Sequence, residues 1–210
     1  MSFIKIFITA IGTDSGKTLI AAILTEALKA DYWKPIQAGY PRDAETVKGL
    51  VSNSVSKFHT ERHLLMYPMS PHAAAEKENI QIRLHDFELP TPNNHLIVEG
   101  AGGMLVPIND EHFVIDLVDA LSLPMVLVSN LYLGSINHTL LSIQEIKRRG
   151  LNCKGIIFNG EANEASEKII LKHSPFPLLF RVPRFEKINA EVVAEFASEI
   201  RPSLENLLLK

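Results

Sequence analysis

The sequence predicts an α/β fold, a mostly parallel sheet with helices on both faces. Short Val/Ile/Leu-rich runs alternate with helix-like stretches along the whole chain. That is the pattern of strands buried on both sides and joined by helical crossovers. A glycine-bearing turn, AIGTDSGKT at 10–18, lies between the first strand-like run and the first helical pattern. Of the 210 residues, 46% are hydrophobic and 21% charged, ordinary globular proportions with enough apolar material for one core. No repeat, low-complexity linker or shift in composition divides 1–210, so the chain is read as a single domain.

Ile4–Thr9 (IKIFIT) alternates as a strand, and Leu19–Lys29 (LIAAILTEALK) spaces its apolar residues as a helix. Asp31–Ile36 (DYWKPI) reads as a short second strand. His95–Val98 (HLIV) is a buried strand that stops at Glu99 and Gly100. Pro124–Ser129 (PMVLVS), Lys154–Phe158 (KGIIF) and Pro177–Val182 (PLLFRV) supply further strands. Leu140–Arg149 is helical, and Glu191–Leu209 closes the sequence as an amphipathic helix broken at Pro202. In open sheets of this kind ligands sit beyond the carboxyl ends of the strands. The residues that follow each strand are therefore the functional candidates.

The first strand end is the most specific. A strand, a glycine-bearing turn and a helix N-terminus direct backbone N–H groups and the positive end of a helix dipole at an anion. Gly12, Gly16, Lys17 and Thr18 occupy that turn. Lys17 can reach β- and γ-phosphates, and the Thr18 hydroxyl can bind Mg²⁺. The usual form is G-x-x-x-x-G-K-[ST]; here Gly12 and Gly16 have three residues between them rather than four, and the position six before Gly16 is Ala10. The fold class narrows to a single-domain P-loop NTPase-like α/β protein that uses a nucleoside triphosphate.

After the second strand comes KPIQAG, which places Lys34 at the same crevice as Lys17. Two ammonium groups suit a transferring phosphoryl group, whose charge spreads over its oxygens. Asp43 follows in YPRDAE and Glu99 in VEGAGG. A carboxylate at the end of an apolar strand needs a metal or hydrogen-bond donors, and Mg²⁺ takes one or two carboxylates plus phosphate oxygens. Asp43 and Glu45 also suit a helix start. Gly100, Gly102 and Gly103 allow backbone to approach a ligand closely. Asn159 ends a late strand, where it can offer a donor and an acceptor to a purine edge or simply open an Asn-Gly turn.

Several classes are excluded. With a net charge of −3 and scattered Lys and Arg, no nucleic-acid partner is expected. The single cysteine, Cys153, forms no intrachain disulfide and reads as a buried structural thiol. No signal peptide and no membrane-length apolar run is visible, so no membrane partner and a cytoplasmic location are expected. His59 and His63 lie in HTERH, where Glu61 is misplaced for the zinc-protease pattern, so no zinc is expected there.

FITAIGTDSGKT, KPIQAG, RDAE, SPHAAAE, VEGAGG and LGSINH occur in this order between Phe7 and Asn137–His138, with IIFNG and Pro183 as looser matches. Together they resemble the dethiobiotin synthetase family. The resemblance implies ATP- and Mg²⁺-dependent carboxylation of 7,8-diaminononanoate by CO₂ or bicarbonate, through a carbamate and a carbamic–phosphoric anhydride. Ring closure then gives dethiobiotin, ADP and phosphate. It implies that Gly12, Thr13, Asp14, Ser15, Gly16, Lys17 and Thr18 bind the nucleotide, with Asn159 and Pro183 at adenine. Lys17, Lys34 and Thr13 take the catalytic roles, and Thr18, Asp43 and Glu99 hold Mg²⁺. Ala38, Ser70, Pro71, Gly102 and Gly103 line the diamine pocket beside Lys34. Gly134, Ser135, Ile136 and Asn137 meet the substrate carboxylate across a homodimer interface. Ala38 departs from the family pattern, which often carries a hydroxyl there.

Two other readings of the phosphate loop carry less support. A cobyrinic-acid type amidoligase needs an ammonia source, commonly a glutaminase with a catalytic cysteine, and Cys153 sits in an apolar setting. A ParA/MinD-type switch carries a lysine five residues before the loop lysine, where this chain has Gly12.

Overall fold

The computed structural model describes residues 3–91 and 93–208. Strand β1 (Lys5–Ala10) is the middle strand of a seven-stranded parallel sheet. The others are β2 (Asp31–Trp33), β4 (Phe58–His59), β6 (Leu96–Glu99), β7 (Met125–Asn130), β8 (Cys153–Asn159) and β9 (Leu178–Val182), in the order β4-β2-β6-β1-β7-β8-β9. A two-stranded parallel sheet, β3 (Ile36–Ala38) with β5 (His63–Leu65), stands apart.

The strands are apolar on both faces because helices cover both. Along β1, Ile6 and Ile8 join one core and Phe7 the other. Helices α1 (Lys17–Leu28), α2 (Asp43–Leu50) and α7 (Ala190–Leu208) supply the first layer. Helices α3 (Pro71–Lys77), α4 (Asp116–Ala120), α5 (Ser135–Arg148) and α6 (Glu164–His173) supply the second. Both layers are dense with fully buried Ile, Leu and Val, each of which contributes about 1.5–3 kcal/mol relative to exposure.

Among the elements named from the sequence, four differences go beyond a one-residue shift at an end. The run Asp31–Ile36 is not one strand. Pro35 brings no N–H to a ladder, the chain turns at Lys34–Pro35, and the Pro35 carbonyl accepts from Arg62 and His63 N–H at 2.9 and 3.0 Å. Ile36–Ala38 therefore leaves the main sheet and pairs with β5. Helix α1 begins at Lys17 rather than Leu19, straight after Gly16 in the left-handed region at φ 88°. Helix α5 begins at Ser135 rather than Leu140, again after a left-handed glycine, Gly134 at φ 104°. Finally, α7 runs through Pro202: Val193, Ala197, Ile200 and Leu204 stay buried along one face, and that continuous stripe outweighs the lost backbone bond. Leu209 lies outside the described residues.

The carboxyl ends of β1, β2 and β6 open toward one side of the sheet. Ile8 of β1 is in register with Glu99 of β6, and Trp33 of β2 with Val98. Lys34, Glu99 and the turn after Ala10 are thereby brought together. Among the described residues no helix is long and apolar enough to cross a membrane.

Candidate active site

The turn at 11–16 folds back on itself. Ser15 Oγ donates to the Gly12 carbonyl at 3.0 Å, and Lys17 Nζ reaches the same carbonyl at 3.3 Å. Asn159 Nδ2 donates to the Ser15 carbonyl at 2.9 Å. Asn159 thus ties the end of β8 to the loop through one of its two amide N–H groups. Two glycines are needed by close approach. A Cβ on Gly16 would stand 2.2 Å from Asn159 Nδ2, and one on Gly103 would stand 3.0 Å from Gly12 Cα. The VEGAGG segment therefore lies directly against the loop.

Lys34 is the centre of the charge arrangement. Its Nζ pairs with Asp43 and donates to Glu99 Oε1 at 3.0 Å. The same Oε1 accepts from Thr18 Oγ1 at 3.0 Å, and Glu99 Oε2 accepts from Tyr32 Oη at 2.8 Å. The expected demand of Glu99 for donors is met in full. Burial opposes the charge of Lys34, but the Glu99 and Asp43 carboxylates outweigh it and raise its pKa, so it stays protonated. Lys17 behaves oppositely. Burial brings it down to about 8, helped by the Lys34 charge and resisted by Glu99.

These groups face a cavity of about 690 Å³. Thr13, Asp14, Gly16, Lys17 and Thr18 form one wall, and Lys34, Asp43 and Glu99 the polar floor. Ala38, Ser70, Pro71 and Gly102 line the remainder, together with Gln37, Pro68, Met69 and Val106, which sequence reasoning missed. Gln37 was visible inside KPIQAG. It locks the loop that carries Asp43, donating to the Gly39 carbonyl and accepting from Asp43 N–H, both at 3.0 Å. A second lock lies beneath: Arg42 grips the buried Glu61 with both Nε and Nη2 at 3.0 and 2.5 Å.

Not every candidate lines this cavity. Ser15 is buried under the loop. Gly12 and Gly103 border a neighbouring hollow of about 340 Å³ that reaches His138 and Leu141 of α5. Pro183 borders a third, of about 540 Å³, beyond Asn159 and Gly160. Gly134, Ser135, Ile136 and Asn137 begin α5 and line none of the three. Next to them Leu133 is fully exposed, and Tyr132, Leu141 and Leu105 are exposed too.

Thr18, Asp43 and Glu99 offer hard oxygen donors at one edge of the cavity, a donor set that fits Mg²⁺ held chiefly through phosphate oxygens. Among the described residues no cluster of three or more His, Cys, Asp or Glu side chains could hold a metal by itself. His59 instead bonds Asp31 at 3.1 Å, and His63 packs edge-on against Phe87. Burial pushes the Cys153 thiol up to about 12, which leaves it inert.

Comparison with known proteins places this geometry. A family described as an AAA domain matches residues 5–192. The ATP-dependent dethiobiotin synthetase BioD of Cytophaga hutchinsonii is 54% identical over 198 residues, covering 93% of this chain and 96% of that protein. The chain belongs to the dethiobiotin synthetase family. The BioD of Christiangramia forsetii is 46% identical over 200 residues, covering 94% and 96%. In fold, this dethiobiotin synthetase family member is similar to the Pyrococcus furiosus cell division ATPase MinD. The TM-score is 0.60 at 13% identity, over 97% of this chain and 99% of that one. At that identity the likeness concerns the fold alone, the parallel P-loop NTPase sheet expected from the sequence.

Proposed function

We propose that this chain is an ATP-dependent dethiobiotin synthetase acting in biotin biosynthesis. One amine of 7,8-diaminononanoate takes up CO₂ as a carbamate. A carbamate oxygen attacks the γ-phosphorus of ATP, the bond to ADP breaks, and a carbamic–phosphoric anhydride forms. The second amine attacks the carbonyl carbon, phosphate leaves, and the ureido ring closes with loss of the amine protons. The observation that carries this reading is one cavity with two lysines and three carboxylates (Asp14, Asp43 and Glu99) at its polar end and Ala38, Pro68, Met69, Pro71 and Val106 along the rest. The polar end suits the transferring phosphoryl group, and the apolar wall suits an alkyl chain.

Each residue has a defined part in this scheme. The loop from Gly12 to Thr18 cradles the phosphates with backbone N–H groups and the start of α1. Lys17 binds the β- and γ-phosphate oxygens, whose charge favours its protonated form. Lys34 stays charged and neutralises the carbamate oxygen as it attacks, with Thr13 donating beside it. Thr18, Asp43 and Glu99 hold Mg²⁺, which supplies charge neutralisation on the phosphates when bound. Ser70, Pro71, Gly102 and Gly103 position the diamine so that its second amine meets the carbonyl, an entropic saving rather than a covalent step. Asn159 and Pro183 border adenine.

Residues 1–210 act as one domain, and two copies form a homodimer located in the cytoplasm. Gly134, Ser135, Ile136 and Asn137 then serve the partner's site and receive the substrate carboxylate at the N-terminus of α5. Support for a partner copy comes from Leu133, Tyr132, Leu141 and Leu105, apolar side chains left in solvent around these residues.

The test is ADP release with ATP, Mg²⁺ and bicarbonate, with and without the diamine, followed by mass spectrometry. Diamine-dependent release with dethiobiotin as product is expected. Diamine-independent hydrolysis, or none, would overturn the assignment.

A further inference from the structure

Tyr32 is fully buried in the apolar layer between the sheet and α1. A phenol in such surroundings must find a partner for its O–H. It finds one across the β2–β6 pair, donating to Glu99 Oε2 at 2.8 Å. The two oxygens of Glu99 are therefore differently engaged. Oε2 is turned inward onto Tyr32, while Oε1 accepts from Thr18 and Lys34, both at 3.0 Å, at the edge of the cavity. Glu99 is 1% exposed. Without Tyr32, Oε2 would lack its donor in a place water does not reach, and the carboxylate would be free to turn.

Resting on the reading of Glu99 as an Mg²⁺ ligand, we propose that Tyr32 is a positioning residue. It fixes the carboxylate rotation so that Oε1 alone faces the cavity and Glu99 binds the divalent cation through one oxygen. The two residues lie 67 positions apart in the chain, and the contact exists only because β2 and β6 are neighbours.

Tyr32→Phe keeps the ring and its packing and removes only the hydroxyl. Electron paramagnetic resonance titration of Mn²⁺ into the ADP-loaded protein reads the site without diamine or turnover. The Mn²⁺ dissociation constant is expected to rise about tenfold, the size of one lost hydrogen bond to a charged group. The Mg²⁺ concentration for half-maximal rate rises in parallel, while kcat at saturating Mg²⁺ and metal-free ADP binding are retained. Trp33→Phe is the control. Its indole donates to the Thr60 carbonyl at 3.0 Å from the same strand, so it loses a structural bond and leaves Mn²⁺ affinity unchanged. In a Glu99→Gln background, Tyr32→Phe adds no further loss. Unchanged Mn²⁺ affinity in Tyr32→Phe, or an equal loss in Trp33→Phe, would overturn the proposal. Absence of dethiobiotin formation by the parent protein would overturn the function instead and leave the Mn²⁺ result standing.

Discussion

Lys34→Met removes the charge at the centre of the site and keeps most of the stem that fills it. In the native chain the Lys34 side chain is 6% exposed, Glu99 1% and Asp43 29%. Breaking a buried ion pair by deleting one partner costs about 3–5 kcal/mol, because the other charge is left unpaired. Water reaches Asp43 but not Glu99, which places the cost at the lower end, about 3 kcal/mol. For a chain of this size each kcal/mol moves Tm by about 2–4 °C, so metal-free Tm falls by about 6–12 °C. Millimolar Mg²⁺ at the same carboxylates restores much of that loss. It does not restore turnover, because no cation then faces the carbamate oxygen, and kcat falls by about 10²–10³-fold. Differential scanning fluorimetry with and without Mg²⁺, paired with ADP release and dethiobiotin detection, reads both effects. A parent-like kcat would make Lys34 a bystander. A Tm unmoved by the substitution and indifferent to Mg²⁺ would show that Lys34 is not the counter-ion of Glu99.

Three further outcomes are expected. Lys17, lowered to about 8 by burial, carries its charge below that pH and loses it above. ATP affinity is therefore full at neutral pH and declines as pH rises through about 8, and calorimetric titrations of Lys17→Arg, which stays charged, show no such decline. Gly16→Ala forces a side chain into the left-handed region at φ 88° and against Asn159 Nδ2. With roughly 1–2 kcal/mol of backbone strain, ATP affinity drops about tenfold or more while circular dichroism stays native; parent-like affinity would contradict the packed loop. Asn137→Ala raises KM for the diamine about tenfold and leaves ATP binding alone; the reverse pattern would sink the placement of Asn137 in the partner's site.

How much was legible follows from the range of each interaction. The phosphate loop, the buried strands and the strand-end positions of Lys34 and Glu99 are local. Each depends on side-chain periodicity or on residues within a few positions of one another, so the P-loop α/β fold and the cavity's main charges are legible without coordinates. The starts of α1 and α5 were misplaced because left-handed Gly16 and Gly134 begin those helices earlier than the apolar spacing does. Strands β3, β4 and β5, two or three residues each, are too short to show a period. The folded chain alone reveals that Lys34 bridges Asp43 and Glu99, that Tyr32 donates to Glu99 Oε2, and that Asn159 donates to the Ser15 carbonyl. It also reveals that Gly134–Asn137 stand outside the cavity within one chain. Those facts depend on strand order and on burial, which bring Lys34 and Tyr32 to Glu99, and Asn159 to Ser15, across 65 to 144 positions of sequence, and no local pattern encodes them.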